Sequence, residues 1–132
     1  MMVLLDTCFV IDLLRKRSEA LDHLGQLLVN TEPMVISAAT VFELHLGIAR
    51  SERSESEHAR VQAILTDVGI AEIDNSVAAK AGILRGDSLN SGSPIPTFDC
   101  LIAATAIELG EPLLTRDNKH FGDIEELQLK TW

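Results

Sequence analysis

Four acidic residues in this sequence occupy positions from which their carboxylates could act together. Asp6 directly follows the first short apolar run of the chain, and Asp117 comes shortly after the fourth. Glu43 and Asp99 lie near the starts of two segments with helical periodicity. Carboxylates without partners repel one another, so a bound cation is the simplest reason for bringing four of them to one point. Oxygen-only ligands favour Mg²⁺, for which Mn²⁺ can substitute.

Each acid also has a purely local explanation. Asp6 fits the N-cap of a helix that begins just after it, and Glu43 fits a capping box with Thr40. Asp99 would complement the dipole of its helix, and Asp117 is a common turn residue. The local explanations require four acidic residues to serve four unrelated roles at the same edge of the sheet. One shared metal site is the simpler interpretation, and it is the one that we predict.

The elements that must position these acids follow from the hydrophobic pattern. Short apolar runs predict five strands, which are separated by longer stretches of helical period. The predicted strands cover residues 2–5, 34–37, 70–73, 112–115 and 127–131. This alternation predicts an α/β fold, a mainly parallel five-stranded sheet flanked by helices on both faces, with residues 1–132 as a single domain. Ligands of such sheets lie at the carboxyl ends of the strands, where all four acids are expected.

The apolar faces of the helices predict which residues form the core. A helix capped by Ser18 would bury Leu21, Leu24 and Leu28. The next helix would bury His45 on its apolar face. The segment 101–109 is apolar nearly all round, so its helix should be central and covered on both sides. The glycine that follows this segment should end the helix.

Composition limits the class of protein. The chain has 132 residues, a hydrophobic fraction of 46% and a formal net charge of −9, which exclude a disordered chain and disfavour broad electrostatic binding of nucleic acid. Four Phe and one Trp offer little for a base-stacking platform. No apolar run is long enough to span a membrane, no signal peptide is evident, and two cysteines suit a reducing compartment. We therefore expect a cytoplasmic protein without a membrane partner.

The motifs that the sequence lacks narrow the chemistry. Its four histidines have no zinc-ligand spacing, and it contains neither a GxGxxG nor a Walker loop. Mg²⁺ held by carboxylates without a nucleotide-binding loop points to hydrolysis of phosphodiester bonds. Thr7 and Thr115 flank the acids, where their hydroxyls could orient a carboxylate or bond to the local backbone. Arg116, adjacent to Asp117, is the preferred contact for a phosphate.

The order and spacing of these motifs resemble those of a known family. The motifs are residues 3–7 (VLLDT), 37–47 (SAATVFELHLG), 99–106 (DCLIAATA) and 114–117 (LTRD), followed by Phe121. Over essentially its whole length the chain resembles the PIN-domain ribonucleases, and specifically the VapC-type toxins of prokaryotic toxin–antitoxin pairs.

The resemblance implies an activity and partners. It implies that Asp6, Glu43, Asp99 and Asp117 together hold Mg²⁺ and that the substrate is RNA. It also implies a homodimer and inhibition by a small antitoxin protein whose C-terminal segment lies over the active-site groove. Apolar residues on more than one face of the helices in residues 38–66 agree with a self-associating surface.

A receiver-like phosphoacceptor signalling module is the alternative interpretation. Such a module also has a parallel sheet, here with Asp6 after the first strand and Asp74 after the third. This account leaves Glu43 and Asp99 without a role. It also requires a lysine just beyond the last strand, whereas Lys130 lies within the terminal apolar segment.

Overall fold

The computed structural model describes residues 2–132, which fold around a five-stranded sheet. The strands are β1 (Val3–Leu5), β2 (Met34–Ser37), β3 (Gly69–Ala71), β4 (Leu113–Leu114) and β5 (Leu129–Lys130). All four pairings between them are parallel, and the order across the sheet is β3-β2-β1-β4-β5. The predicted α/β class and parallel five-stranded sheet are confirmed.

Seven helices connect the strands within residues 2–132. They are α1 (Thr7–Leu14), α2 (Ser18–Val29), α3 (Ala38–Arg50), α4 (Ser54–Leu65), α5 (Asn75–Asn90), α6 (Thr97–Leu109) and α7 (Asn118–Phe121). Helices α1, α2 and α4 contribute to the core on one face of the sheet, and α5 and α6 contribute to the core on the other. None of the helices described is both long and apolar enough to cross a membrane.

Strand β1 shows why the sheet is apolar on both faces. Val3 and Leu5 belong to the core that includes Phe9 of α1, whereas Leu4 belongs to the core that includes Ile102 of α6. Successive side chains of a strand point to opposite faces, so a strand covered on both sides reads as one continuous apolar run. All three β1 residues are at most 1% exposed.

Helix α6 is the central helix that its composition predicts. Ile102, Ala103, Ala104 and Ala106 are all completely buried. The helix ends at Gly110, whose φ of 67° lies in the left-handed region that favours glycine. Both the central position and the end of this helix are confirmed.

Some predicted core positions lie at the surface instead. Ser18 is the first residue of α2 and is not its cap, a position that Arg17 occupies. The helix turns Leu27 into the core and packs Leu24 partly buried against it, but leaves Leu21 43% and Leu28 56% exposed. The heptad-like spacing of leucines in α2 is compatible with two apolar faces, and packing against the sheet selected one of them. The prediction for His45 is also wrong, because its ring is exposed on α3 and lies 2.9 Å from a backbone carbonyl of the same helix.

Candidate active site

The strand order creates the crevice in which the acids meet. From β1 the chain adds β2 and β3 on one side and then crosses over to add β4 and β5 on the other. Connections leave β1 and β4 in different directions, and such a switch point is where open parallel sheets bind ligands. Asp6 lies directly at this point, since its N–H donates to the carbonyl of Leu114 in β4 at 3.0 Å.

The carboxylate of Asp6 is held by three donors. Its Oδ1 accepts from the backbone N–H of Thr7 at 2.8 Å, which is the capping contact at the start of α1. Its Oδ2 accepts from the hydroxyl of Thr115 at 2.7 Å and from the thiol of Cys8 at 3.1 Å. Asp6 is only 5% exposed, so these donors replace most of its water. Asp6 therefore caps α1 with one oxygen and is oriented by β4 through the other.

The thiol of Cys8 serves as a donor in this arrangement. Burial, and then the charge of Asp6, raise the pKa of Cys8 to about 11. At neutral pH the side chain is consequently a protonated thiol, the form that can donate to Asp6.

Glu43 is connected to Asp6 through Thr7. The hydroxyl of Thr7 donates to Oε1 of Glu43 at 2.7 Å and lies 3.0 Å from the hydroxyl of Thr40. Because the single proton of Thr7 goes to Glu43, Thr40 is the donor in the second contact. The local alternative for Glu43, a capping box with Thr40, is wrong: α3 begins at Ala38, with Ser37 as its cap, so both residues lie inside the helix.

Asp117 is connected to Asp6 through Thr115. The hydroxyl of Thr115 donates to Asp6 and accepts from the backbone N–H of Asp117 at 2.9 Å. Asp117 also caps the short helix α7, because its Oδ1 accepts from the N–H of His120 at 3.1 Å. Its other oxygen, Oδ2, faces the ring of the same histidine. The position of Asp117 is thus set by β4 on one side and by α7 on the other.

Asp99, in the first turn of α6, is connected to Asp117 through His120. Nδ1 of His120 lies 2.7 Å from Oδ2 of each carboxylate. These are ion-pair distances, but neither contact has the angular geometry of a hydrogen bond, so this buried nitrogen has no aligned partner. Sequence reasoning grouped His120 with the scattered histidines and missed it. Its spacing of three residues from Asp117 was the one available signal.

Burial and neighbouring charges raise the pKa values of two of the acids. Burial, and then the charge of Asp6, raise the pKa of Asp99 to about 6, although His120 acts in the opposite direction. Burial also raises the pKa of Glu43, which the hydrogen bond from Thr7 partly offsets and the charge of Asp6 reinforces. Burial is the larger cause of both raised pKa values, and the negative charge of Asp6 adds to it.

The structure therefore brings all four predicted acids to one edge of the sheet. Three residues bridge them in sequence: Thr7 links Glu43 with Asp6, Thr115 links Asp6 with Asp117, and His120 links Asp117 with Asp99. Both threonine hydroxyls contact carboxylates, as one of the two interpretations of these residues expected. The catalytic and metal-binding roles of the four acids stay predictions.

Comparison with known proteins identifies the family of this chain. Residues 3–127 match the PIN domain family. The chain belongs to the PIN-domain family. It is 34% identical over 127 residues to Ribonuclease VapC19 of Mycobacterium tuberculosis, an alignment that covers 96% of this chain and 98% of that one. The predicted resemblance to VapC-type PIN-domain proteins is confirmed.

Solved structures agree with this PIN-domain assignment. One such structure is VapBC2 from Rickettsia felis bound to a DNA fragment from its promoter. It aligns with a TM-score of 0.91 and 26% identity, and the alignment covers 100% of this chain and 99% of that one. A toxin–antitoxin complex from Klebsiella pneumoniae aligns with a TM-score of 0.72 and 28% identity, covering 95% and 94%.

Arg116 of this PIN domain already has partners within the protein. Its guanidinium forms an ion pair with the buried carboxylate of Asp12 and lies 4.8 Å above the ring of Trp132. The arginine side chain nevertheless remains 48% exposed. Its role as a phosphate contact stays a prediction, and the structure adds a packing role that sequence reasoning did not foresee.

Two of the few aromatic residues meet beside the acids of the PIN domain. The rings of Phe42 and Phe98 are 4.9 Å apart, and these residues directly precede Glu43 and Asp99. Phe42 is 54% exposed. A low aromatic content therefore did not prevent two aromatic rings from meeting between α3 and α6.

The receiver-like alternative needs Asp6 and Asp74 at neighbouring strand ends, and this PIN fold does not place them there. Asp74 uses Oδ1 to cap α5 through the N–H of Val77 at 2.9 Å. It follows β3, which is an edge strand separated from β1 by β2, so Asp74 and Asp6 are not at neighbouring strand ends. The alternative is not favoured.

Proposed function

We propose that residues 1–132 act as a single nuclease domain, a Mg²⁺-dependent endoribonuclease that hydrolyses RNA phosphodiester bonds. In this proposal the protein is a cytoplasmic toxin that a small antitoxin protein neutralises. The observation that carries the proposal is the bridged group of four carboxylates at the switch point of the sheet. The ribonuclease and toxin–antitoxin names of its relatives support the same activity.

The donor atoms of the site fit a divalent cation. Oxygens of Asp99 and Asp117 and Nδ1 of His120 all lie within 4.8 Å of one another, a separation that one ion can span. Asp6 and Glu43 complete the oxygen donors that Mg²⁺ or Mn²⁺ prefers. A bound divalent cation supplies the Lewis acidity and positive charge that phosphodiester hydrolysis requires.

The residues of the chain itself supply orientation. The hydroxyls of Thr7 and Thr115 each hold a carboxylate at 2.7 Å, which fixes the direction of its remaining lone pairs. Because both hydroxyls are themselves nearly buried, rotation of these side chains is restricted. The acids are thus held ready before a cation or RNA arrives, which lowers the cost of binding.

A groove next to Glu43 fits the antitoxin. It runs between α1, α3 and α4, and its lining includes Ile11, Leu14, Ile48 and Gly47. A Cβ built on Gly47 would meet no atom within 4 Å, so the glycine leaves open space and does not serve close helix packing. An apolar segment of an antitoxin lying in this groove would reach the acidic site. The Klebsiella toxin–antitoxin complex supports a partner of this kind.

The exposed face of α3 fits a homodimer. Phe42 is 54% and Leu46 is 48% exposed, and these residues are four apart on one side of the helix. Large apolar side chains clustered at the surface mark sites of association. The dimer is part of the proposal.

Glu43→Gln tests the proposed activity. Glutamine keeps the size of the side chain and can still accept from Thr7, but it removes one charge of the site. We expect cleavage of RNA in Mg²⁺ to fall at least about 100-fold, since a hard cation requires that charge. Glu55→Gln on the exposed surface of α4 is the matched control and should cleave at the wild-type rate.

Two results would refute this assignment. One is full cleavage by Glu43→Gln, and the other is wild-type cleavage that continues after all divalent cations have been chelated.

A further inference from the structure

We propose that His120 is a direct nitrogen ligand of the cation at this site, so that the site prefers Mn²⁺ to Mg²⁺. This inference rests on the proposed metal-dependent function and adds a ligand that the acidic group alone does not contain. It follows from the position of one ring nitrogen between two carboxylates.

The first observation is the convergence of three ligand atoms. Nδ1 of His120 lies 2.7 Å from Oδ2 of Asp99 and 2.7 Å from Oδ2 of Asp117. Ligands bound about 2.1 Å from one ion at right angles are about 3 Å apart. The two contacts of Nδ1 therefore need to lengthen by only a few tenths of an ångström to admit a cation, and all three atoms lie within 4.8 Å of one another.

The second observation is that Nδ1 lacks the bond a buried nitrogen normally makes. The atom is inaccessible to solvent and has no aligned hydrogen-bond partner within residues 2–132. An imidazolium that served only to pair with the carboxylates would point its N–H at one of them, because charge-assisted hydrogen bonds are strong and directional. With a cation bound, a neutral ring with its proton on Nε2 would instead present the Nδ1 lone pair to that ion, in the space between the two acids.

The third observation is that the ring is held in place by its own helix. Asp117 caps α7 by accepting from the N–H of His120, so one residue supplies a carboxylate and also sets the backbone of the histidine. Phe121, the next residue, is 1% exposed and anchors α7 in the core next to α6. The histidine therefore reaches the two carboxylates without a change in the backbone.

The donor set then determines which ion binds best. Mg²⁺ favours oxygen ligands, whereas imidazole nitrogen suits the first-row transition ions, of which Mn²⁺ tolerates mixed oxygen and nitrogen ligands. Removing the nitrogen should weaken Mn²⁺ binding more than Mg²⁺ binding. A histidine that only positioned Asp99 or Asp117 would affect both ions equally.

The experiment uses the full chain, stripped of metal and titrated with Mn²⁺ alone. Electron spin-echo modulation of the bound Mn²⁺ detects a directly coordinated nitrogen. We expect ¹⁴N modulation in the wild type, its replacement by the ¹⁵N pattern when histidine is labelled with ¹⁵N, and its loss in His120→Gln. His58→Gln, on the exposed surface of α4, is the matched control and should keep the signal.

Binding constants provide the second measurement. The dissociation constant of Mn²⁺ should rise at least about tenfold in His120→Gln, while that of Mg²⁺ should change less than about threefold. Because the labelling experiment needs no substitution, a variant that fails to fold does not affect the conclusion.

Two results would overturn the proposal. Bound Mn²⁺ without histidine nitrogen modulation would exclude His120 as a ligand, and RNA cleavage by the same sample would show that the proposed nuclease function stands. Absence of any Mn²⁺ or Mg²⁺ binding, together with absence of metal-dependent cleavage, would reject both proposals.

Discussion

Replacing Asp99 with asparagine separates metal binding from folding stability. The change preserves the shape of the side chain but removes one negative charge from the acidic site. Burial and the charge of Asp6 raise the pKa of Asp99 from 3.8 to about 6 in the folded protein. Since one pKa unit corresponds to about 1.4 kcal/mol, ionising Asp99 at neutral pH costs the folded protein up to about 3 kcal/mol.

The net stabilisation by asparagine is smaller than this upper limit. The attraction of His120 for the carboxylate is already contained in the pKa of Asp99, but the amide is itself a half-buried polar group, and its burial has a cost of its own. We expect the free energy of unfolding of the metal-free protein to rise by about 1 kcal/mol at pH 7. For a domain of this size the melting temperature would rise by about 4 °C.

The pH dependence provides an independent check. Because the pKa of Asp99 is higher in the folded than in the unfolded protein, its contribution to stability is fully present below about pH 4. The contribution is lost as the pH rises through about 6. Asp99→Asn should therefore be less stable than the wild type at pH 4 and more stable near pH 7, with the difference changing sign between these values, measured by thermal denaturation in EDTA.

Mg²⁺ and RNA cleavage complete the test. Ligand that binds the native state raises its stability, so Mg²⁺ at ten times its dissociation constant should stabilise the wild type by about 1.4 kcal/mol and Asp99→Asn by much less. Cleavage should fall by orders of magnitude in the variant. If Asp99 only complemented the dipole of α6, asparagine would cost a few tenths of a kcal/mol and leave cleavage unchanged. A variant that is less stable, fully active and equally responsive to Mg²⁺ would refute the metal-site assignment.

Three further substitutions test the residues around the acidic site and the surfaces of α3. Thr115→Val removes the hydroxyl that donates to Asp6 and accepts from Asp117, so we expect the free energy of unfolding to fall by about 1–2 kcal/mol in thermal denaturation. Mn²⁺ should bind at least about tenfold more weakly, and unchanged metal binding would contradict the orienting role. Gly47→Ala should raise the free energy of unfolding by about 0.5–1 kcal/mol, because the added methyl meets no atom within 4 Å and alanine is the better helix former. A destabilised variant would show that the groove between α1, α3 and α4 is closed in solution. Phe42→Glu should convert a dimer into a folded monomer in light scattering, since it places a charge on the exposed face of α3; dimers that persist would locate the interface elsewhere.

The fold was largely predictable because its signals are local. The apolar runs that become β1 and β2 are continuous, the composition of α6 requires cover on both sides, and Gly110 ends that helix by its own backbone freedom. Such signals depend on side-chain types at fixed spacing, which the sequence displays directly. The same signals failed where two spacings competed: in α2 the leucines at 21 and 28 formed a plausible apolar face, but the packed helix buries Leu27.

The four acids were also predictable, because topology carries residues at strand ends to one edge of a parallel sheet. The residues that bridge the four acids could not be predicted from the sequence. Each of the two threonines could bond to its own backbone or to a distant carboxylate, and only the packed structure shows that Thr7 reaches Glu43, 36 residues away, and that Thr115 reaches Asp6, 109 residues away.

The sequence by itself determined which elements form, where they end and which side chains can bind a cation, since these depend on residue type and local spacing. Only the tertiary structure decided which of those side chains meet. Asp117 caps the short helix that contains His120, but the contact of His120 with Asp99 exists because α7 packs against α6, a pairing that no local pattern encodes. Phe42 and Phe98 likewise meet only because α3 and α6 lie side by side. Contacts between elements are set by the way the whole core packs, and a site assembled from four such elements is therefore completed by the fold.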